Sequence, residues 1–262
     1  MKKYLVIGNP IEHSLSPKLH NFWLKNNNID AIYEMRKVES GDLKNLVLDI
    51  KRKNISGFNV TVPFKNEIIH YLDELSLEAK ITQSVNTVCL EEEKIIGYNT
   101  DIIGFELGIK NTKFSLEGKK VFILGAGGVV PSIIFALNKI KVSEIIISNR
   151  TLKKAENLKK IFTNLKVVSW GEVPNFDMII NATSVGLNNN DELNIDLSKV
   201  GKKKLFYDVI YNPSETRFLR NAKQSGNKIE NGRMMFIYQA SAAFKLWHGV
   251  QPKINKEIFE LF

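Results

Sequence analysis

Three stretches of the chain end apolar runs with side chains able to hold a polar ligand or move a proton: GFNVTVPFKNE with Thr61 and Lys65, VNTV with Asn86, and GYNTDIIG with Asp101. A hydroxyl, an ammonium, an amide and a carboxylate are groups from which proton-transfer sites are built. A fourth stretch, GNPIEHSLSPKLHN, sets Ser14 and Ser16 two apart, with Pro17 directly after. Ser16 before Pro17 reads as a helix N-cap followed by proline at the first helical position, where its missing N–H costs nothing. Ser14 is not needed for that cap. A loop that leaves a strand beside a helix N-terminus offers an anion free backbone N–H groups, the positive end of the helix dipole and hydroxyl donors. Each stretch also has a plain structural reading: a capped turn with an incidental serine, a solvated Lys65, and a helix start at Asp101 after Thr100.

The elements that would position these residues alternate. YLVIG precedes a helix from Pro17, IYEMRKV precedes DLKNLVLDIKRK, and GFNVTV precedes FKNEIIHYL. Apolar strands followed by amphipathic helices are the pattern of βαβ units and hence of a mainly parallel sheet. VNTVCLEEEKIIGYN departs from it, because two strand-like runs separated by a few charged residues read as a hairpin. A helix from about Asp101 to Asn111 follows, and LEGKKVFILGAGG opens a second alternating series. The spacing predicts an α/β fold with two domains, the junction lying in that helix. Ligands of open α/β sheets bind beyond the carboxyl ends of the strands, so the serine loop, Thr61, Lys65 and Asn86 are expected at one pocket.

In the second series, KKVFILGAGGVV runs a hydrophobic strand into GAGG and then a helix, VVPSIIFALNKI. Glycines there permit a tight turn and let backbone N–H groups approach a pyrophosphate at the helix N-terminus. The third small residue of the usual GxGxxG pattern is replaced by Val130, with Pro131 next. The following strand, EIIISNRTLKK, ends in Asn149, Arg150 and Thr151 where an NAD site would carry an acidic residue on the ribose 2′-hydroxyl. Arg150 can pair with a 2′-phosphate and stack on adenine, Asn149 and Thr151 can donate hydrogen bonds, and no carboxylate repels the phosphate, so the expected cofactor is NADP. A strand ending in a capped helix with a surface arginine is the plainer alternative.

Composition narrows the classes. The 262 residues suit one large domain or two modest ones, and 44% hydrophobic content is ordinary for a globular protein. No apolar run approaches the ~18 residues that cross a bilayer, and the apolar part of MKKYLVIGNP is too short for a secretory signal, so a cytoplasmic protein without a membrane partner is expected. The single cysteine, Cys89, agrees with a reducing compartment and sits in an apolar run as a packed core thiol. The net charge of +9 comes from lysines scattered over the whole chain, which makes a solvated surface and not a nucleic-acid platform. His13, His20, His70 and His248 lack the cysteine or carboxylate neighbours of a metal cage, so no metal is expected.

Taken together, GNPIEHSLSPKLHN, GFNVTVPFK, VNT, GYNTDIIGF, GAGG, NRT, INATSVG, YDVIYNPSET and NGRMMFIYQASAAF stand in the order and approximate spacing of the shikimate dehydrogenase family, which the chain resembles over its full length. The resemblance implies NADP-dependent, reversible reduction of 3-dehydroshikimate to shikimate, a step in aromatic amino acid (chorismate) biosynthesis. It makes Lys65 and Asp101 the catalytic pair and gives Ser14 and Ser16 the substrate carboxylate, with Thr61, Asn86, Tyr211 and Gln239 on the ring hydroxyls and carboxylate. Gly125, Ala126, Gly127, Gly128, Val129, Asn149, Arg150, Thr151, Thr183, Val209 and Gly232 would then line the NADP side. It further implies a substrate domain over 1–101, joined by C-terminal helices over 233–262, and a Rossmann-like NADP domain over 102–232, in a monomer or homodimer acting on a small molecule. Two alternatives are a broader quinate/shikimate dehydrogenase and a dinucleotide-binding regulator without catalysis.

Overall fold

The computed structural model describes residues 1–188 and 191–261. The chain forms two compact units, one made of Met1–Ile103 with Ile237–Phe262 and the other of Gly104–Phe236.

In the first unit, β1 (Lys2–Gly8) leads to α1 (Ser16–Asn26), β2 (Ala31–Lys37), α2 (Leu43–Lys51) and β3 (Gly57–Val60). Then come β4 (Glu74–Leu75), α3 (Leu77–Thr82), β5 (Thr87–Glu91), β6 (Lys94–Tyr98) and α4 (Asp101–Thr112), inside which the boundary between units falls. The sheet runs β2-β1-β3-β5-β6-β4. β1 pairs in parallel with β2 and β3, and β4 with β6, whereas the β5–β6 hairpin is antiparallel and pairs antiparallel to β3. Helix α2 turns Leu43, Leu46, Val47 and Ile50 into the core beside Leu5, Ile7, Phe58 and Val60, the i, i+3, i+4, i+7 stripe of an amphipathic helix.

Two local expectations fail here. FKNEIIHYL forms a short 3-10 turn, Glu67–Tyr71, and not an α-helix. Its apolar residues are spent at once, Phe64 and Ile68 entering the core, and the chain must then extend into β4, so fewer than two turns fit. At α1, Ser16 is the first helical residue and the cap is Leu15, with no side-chain cap bond. The Ser14 hydroxyl instead accepts the Ser16 N–H at 3.3 Å.

The second unit continues α4 and adds β7 (Lys120–Leu124), α5 (Val130–Ile140), β8 (Glu144–Ser148), α6 (Leu152–Ile161) and β9 (Leu165–Val168). It closes with β10 (Met178–Asn181), β11 (Leu205–Asp208), α7 (Arg217–Gln224), β12 (Lys228–Glu230) and the start of α8 (Arg233–His248). The sheet order is β12-β11-β10-β7-β8-β9, and every pairing is parallel. All four residues of β10 and of β11 are buried, as expected of strands covered on both faces. The remainder of α8 and α9 (Lys256–Glu260) belong to the first unit.

Candidate active site

Strand direction gathers the polar residues of the first unit at one sheet edge. The segments after β1 and β3 carry Ser14, Ser16 at the start of α1, Thr61 and Lys65, and these strands are parallel, so both segments leave from the same edge. β5 runs antiparallel to β3, which puts its start, with Asn86 just before it, at that edge; β6 reverses again and delivers Asn99, Thr100 and Asp101 there. Lys65 Nζ lies 2.5 Å from Asp101 Oδ2, and both side chains are buried. Asn86 Nδ2 donates to Asp101 Oδ1 at 3.0 Å and reaches Gln239 Oε1, on α8, at 3.3 Å. Lys65, Asp101, Asn86 and Gln239 thus form one cluster. Removing two charges from water is expensive, so a buried ion pair is weak evidence for stability and points to chemistry.

Thr61 is tied to the serine loop through the backbone, its N–H donating to Ile7 O at 2.9 Å while the Asn9 N–H donates to Val62 O at 3.0 Å. Ser16 is buried and Ser14 half-buried. Tyr211 belongs to the second unit, where its ring stacks on Phe236 at 4.6 Å.

The residues that the resemblance assigns to the NADP side all lie in the second unit, at the carboxyl ends of its strands. Gly125 follows β7 at φ +107°, and a Cβ there would sit 2.8 Å from Ala182 O, so only glycine fits the turn. The turn leads over Ala126, exposed Gly127 and Gly128 and the cap Val129 into α5, whose buried Val130 and Pro131 start the helix without occupying the open loop. This cradle of small residues before an 11-residue helix fits a dinucleotide pyrophosphate. Asn149, Arg150 and Thr151 follow β8; Arg150 and Thr151 are exposed, and Asn149 Nδ2 donates to the Thr151 carbonyl at 2.8 Å. Thr183 is held by Asn181, whose Oδ1 accepts its N–H and hydroxyl at 3.2 and 2.7 Å. Gly232 packs so closely on Val209 that a Cβ would come within 2.0 Å of Val209 O.

Further polar residues sit in both sites without having been singled out from sequence. Thr100 donates its N–H to Asn86 Oδ1 at 2.7 Å, and Asn59 and Thr87 extend the same cluster. In the second unit, buried Asp208 accepts from Asn181 Nδ2, Thr216 Oγ1 at 2.7 Å and the Ile210 N–H at 3.0 Å. Burial raises the Asp208 carboxyl above the usual range despite these donors. Asn59 and Thr87 stood inside quoted motifs but in strands, where a polar side chain gives no local sign of its partner. Cys89 is buried, its thiol pushed up by desolvation, as befits a core residue. Among the described residues there is no cluster able to hold a metal ion, and no helix long and apolar enough to cross a membrane.

Comparison with known proteins places this geometry. Residues 6–88 match the model of the shikimate dehydrogenase substrate binding domain, and residues 106–214 match that of shikimate / quinate 5-dehydrogenase. The chain is 54% identical over 260 residues to shikimate dehydrogenase (NADP(+)) of Pelagibacter ubique, covering 99% of this chain and 98% of that protein. Its fold superposes on crystalline shikimate dehydrogenase of Aquifex aeolicus with a TM-score of 0.91 at 36% identity, covering 99% and 96% of the two chains. The Thermus thermophilus shikimate 5-dehydrogenase, crystallised with NADP(H) and shikimate, gives a TM-score of 0.89 at 33% identity, covering 97% and 95%. Sequence and fold agree, and the chain belongs to the shikimate dehydrogenase family.

Proposed function

We propose that the chain catalyses the reversible reduction of 3-dehydroshikimate to shikimate with NADPH, through Lys65 and Asp101. The buried Lys65–Asp101 pair at the sheet edge, with Asn86 and Gln239 against it, is the observation that carries this reading. NADPH, when bound, supplies a hydride to the C3 carbonyl carbon. Lys65 meets the negative charge that grows on the carbonyl oxygen and donates a proton to it, and a proton from solvent restores the ammonium. Asp101 holds the ammonium in place, its Oδ2 2.5 Å from Nζ. Ser14 and Ser16 would hold the carboxylate with hydroxyl and backbone donors, and Thr61, Asn86, Gln239 and Tyr211 would contact the ring substituents. Gly125, Ala126, Gly127, Gly128 and Val129 would cradle the pyrophosphate, Arg150 with Asn149 and Thr151 would take the 2′-phosphate, and Thr183, Val209 and Gly232 would border the nicotinamide end. The first unit is then the substrate domain and the second the NADP domain.

The broader quinate/shikimate reading, often tied to NAD, expects an acidic residue where Asn149, Arg150 and Thr151 stand. A regulator without catalysis gives no reason to bury Lys65 against Asp101. The lone buried Cys89 supports a cytoplasmic setting, and a monomer or homodimer acting on a small molecule completes the reading. The test is nicotinamide reduction by purified protein with shikimate. NADP is expected to outperform NAD in kcat/KM by ~10 to 100-fold, the worth of one charge-assisted contact to the 2′-phosphate. No shikimate-dependent reduction, or equal kcat/KM for both cofactors, would overturn the reading.

A further inference from the structure

We propose that Tyr33, Asn59 and Thr87 are positioning residues for this reaction: a one-directional chain of buried hydrogen bonds that turns the Asn86 amide so that its NH2 faces Asp101. The inference rests on the function proposed above. Asn59 Nδ2 donates to the Asn86 carbonyl at 2.9 Å, and a carbonyl only accepts, so the orientation of the Asn59 amide is fixed. Its Oδ1 accepts the Tyr33 hydroxyl at 2.7 Å, and its NH2 also donates to Thr87 Oγ1 at 2.9 Å. Thr87 must therefore send its own proton onward. Asn86 Oδ1 lies 3.1 Å away and Thr100 Oγ1 3.3 Å away. Thr100 Oγ1 in turn lies 3.1 Å from Asn86 Oδ1, so by either route a hydroxyl proton ends on that oxygen, which already accepts the Thr100 N–H.

With its oxygen held by these donors, Asn86 presents NH2 to Asp101 Oδ1, and Asp101 Oδ2 is left for Lys65. Tyr33, Asn59, Thr87, Asn86 and Asp101 are all buried, so no bulk solvent replaces a missing link, and each donor polarises the next. Tyr33 is itself fixed by its ring stack on His20, 4.2 Å away and nearly parallel at 4°. Strand register accounts for the contacts, since Asn59 pairs with Thr87 across β3 and β5, and Thr87 with Tyr98 across β5 and β6.

The experiment compares Thr87→Val, which keeps the shape and deletes the hydroxyl, with Thr87→Ser, which keeps the hydroxyl. Two readouts are taken: shikimate oxidation by NADP+, and the order parameter of the Asn86 side-chain NH2 from 15N relaxation. Thr87→Val is expected to lower kcat ~10-fold, the scale of one buried hydrogen bond, with KM for NADP+ within about twofold, and to make the Asn86 NH2 mobile. Thr87→Ser is expected to recover kcat to within about threefold and to keep the NH2 rigid. Tyr33→Phe keeps the ring stack and is expected to loosen the same NH2, which decides the matter if Thr87→Val does not fold. An Asn86 NH2 as rigid as in the unmodified protein, a kcat unchanged in Thr87→Val, or a Thr87→Ser protein as slow as Thr87→Val would each overturn the proposal. If the unmodified protein does not reduce NADP+ with shikimate, the functional reading fails, whereas the NH2 measurement still decides whether the chain holds Asn86.

Discussion

At the residue scale the site turns on how two oxygens of one carboxylate are shared. Asp101 Oδ2 takes Lys65 and Oδ1 takes Asn86, so either substitution in the dyad leaves a specific fault. On the proposed mechanism Lys65→Ala removes the donor to the growing alkoxide, and it is expected to lower kcat by ~10² to 10⁴ with a much smaller change in KM for shikimate. It also strands a buried carboxylate, a fault worth ~3 to 5 kcal/mol of stability, so its urea midpoint should fall. Asp101→Asn sets an NH2 against either Lys65 or the Asn86 NH2 and should lower kcat as well. If the two act as a unit, the double variant is little worse in kcat than the worse single one and unfolds at higher urea than Lys65→Ala, because no lone charge remains. Multiplicative losses in kcat would mean the residues act independently.

At the scale of elements, most of the proposed binding residues sit in short loops at strand ends or at the helix starts that follow them, with Gln239 on α8 the exception. The loop after β8 is the clearest case. Arg150 is exposed, so its substitution leaves the core untouched and reports on the cofactor alone. Arg150→Ala is expected to lower kcat/KM for NADP+ by ~10 to 100-fold and that for NAD+ by less than about threefold. Equal losses for both would move the 2′-phosphate contact elsewhere. The motifs for these loops were legible in the sequence because glycine and proline placement and strand ends are local properties. That Leu15 and neither serine occupies the cap of α1 was not, since only the backbone path decides where the helix begins and that the Ser14 hydroxyl meets the Ser16 N–H.

The whole molecule carries a pH sensitivity of its own. Burial lowers His20 to about 3, and burial together with Lys2 lowers His248 to about 4. Both stay neutral in the fold, while the unfolded chain takes up protons below ~6.5, so stability rises with pH across this window and is lost on acidification. The fully buried His20 contributes as much as about 1.4 kcal/mol per pH unit between ~6.5 and 3. The raised carboxyls of Asp208 and Glu230 act in the opposite sense, because their protonated forms are favoured in the fold. A single variant separates these effects. His20→Leu should make the urea midpoint less steep in pH between 6.5 and 4, whatever its absolute value, and an unchanged slope would show that His20 does not titrate on unfolding.

The sequence by itself determined the class of the fold, the two series of strands and helices and the family, because periodicity, turn residues and ordered motifs are carried by neighbours along the chain. It also placed Lys65, Asp101 and Asn86 at strand ends. The tertiary structure decided what those residues touch. Asn86 meets Thr100 and Asp101 from 14 and 15 positions away, and Gln239 from 153 positions away. Such contacts depend on strand order and register, and on which of several identical donors a buried acceptor can reach, and no local pattern encodes either. The chain from Tyr33 to Asn86 became visible only once β3, β5 and β6 lay side by side, because a hydrogen bond requires an approach within about 3 Å, a condition set by the packed sheet and not by spacing along the chain.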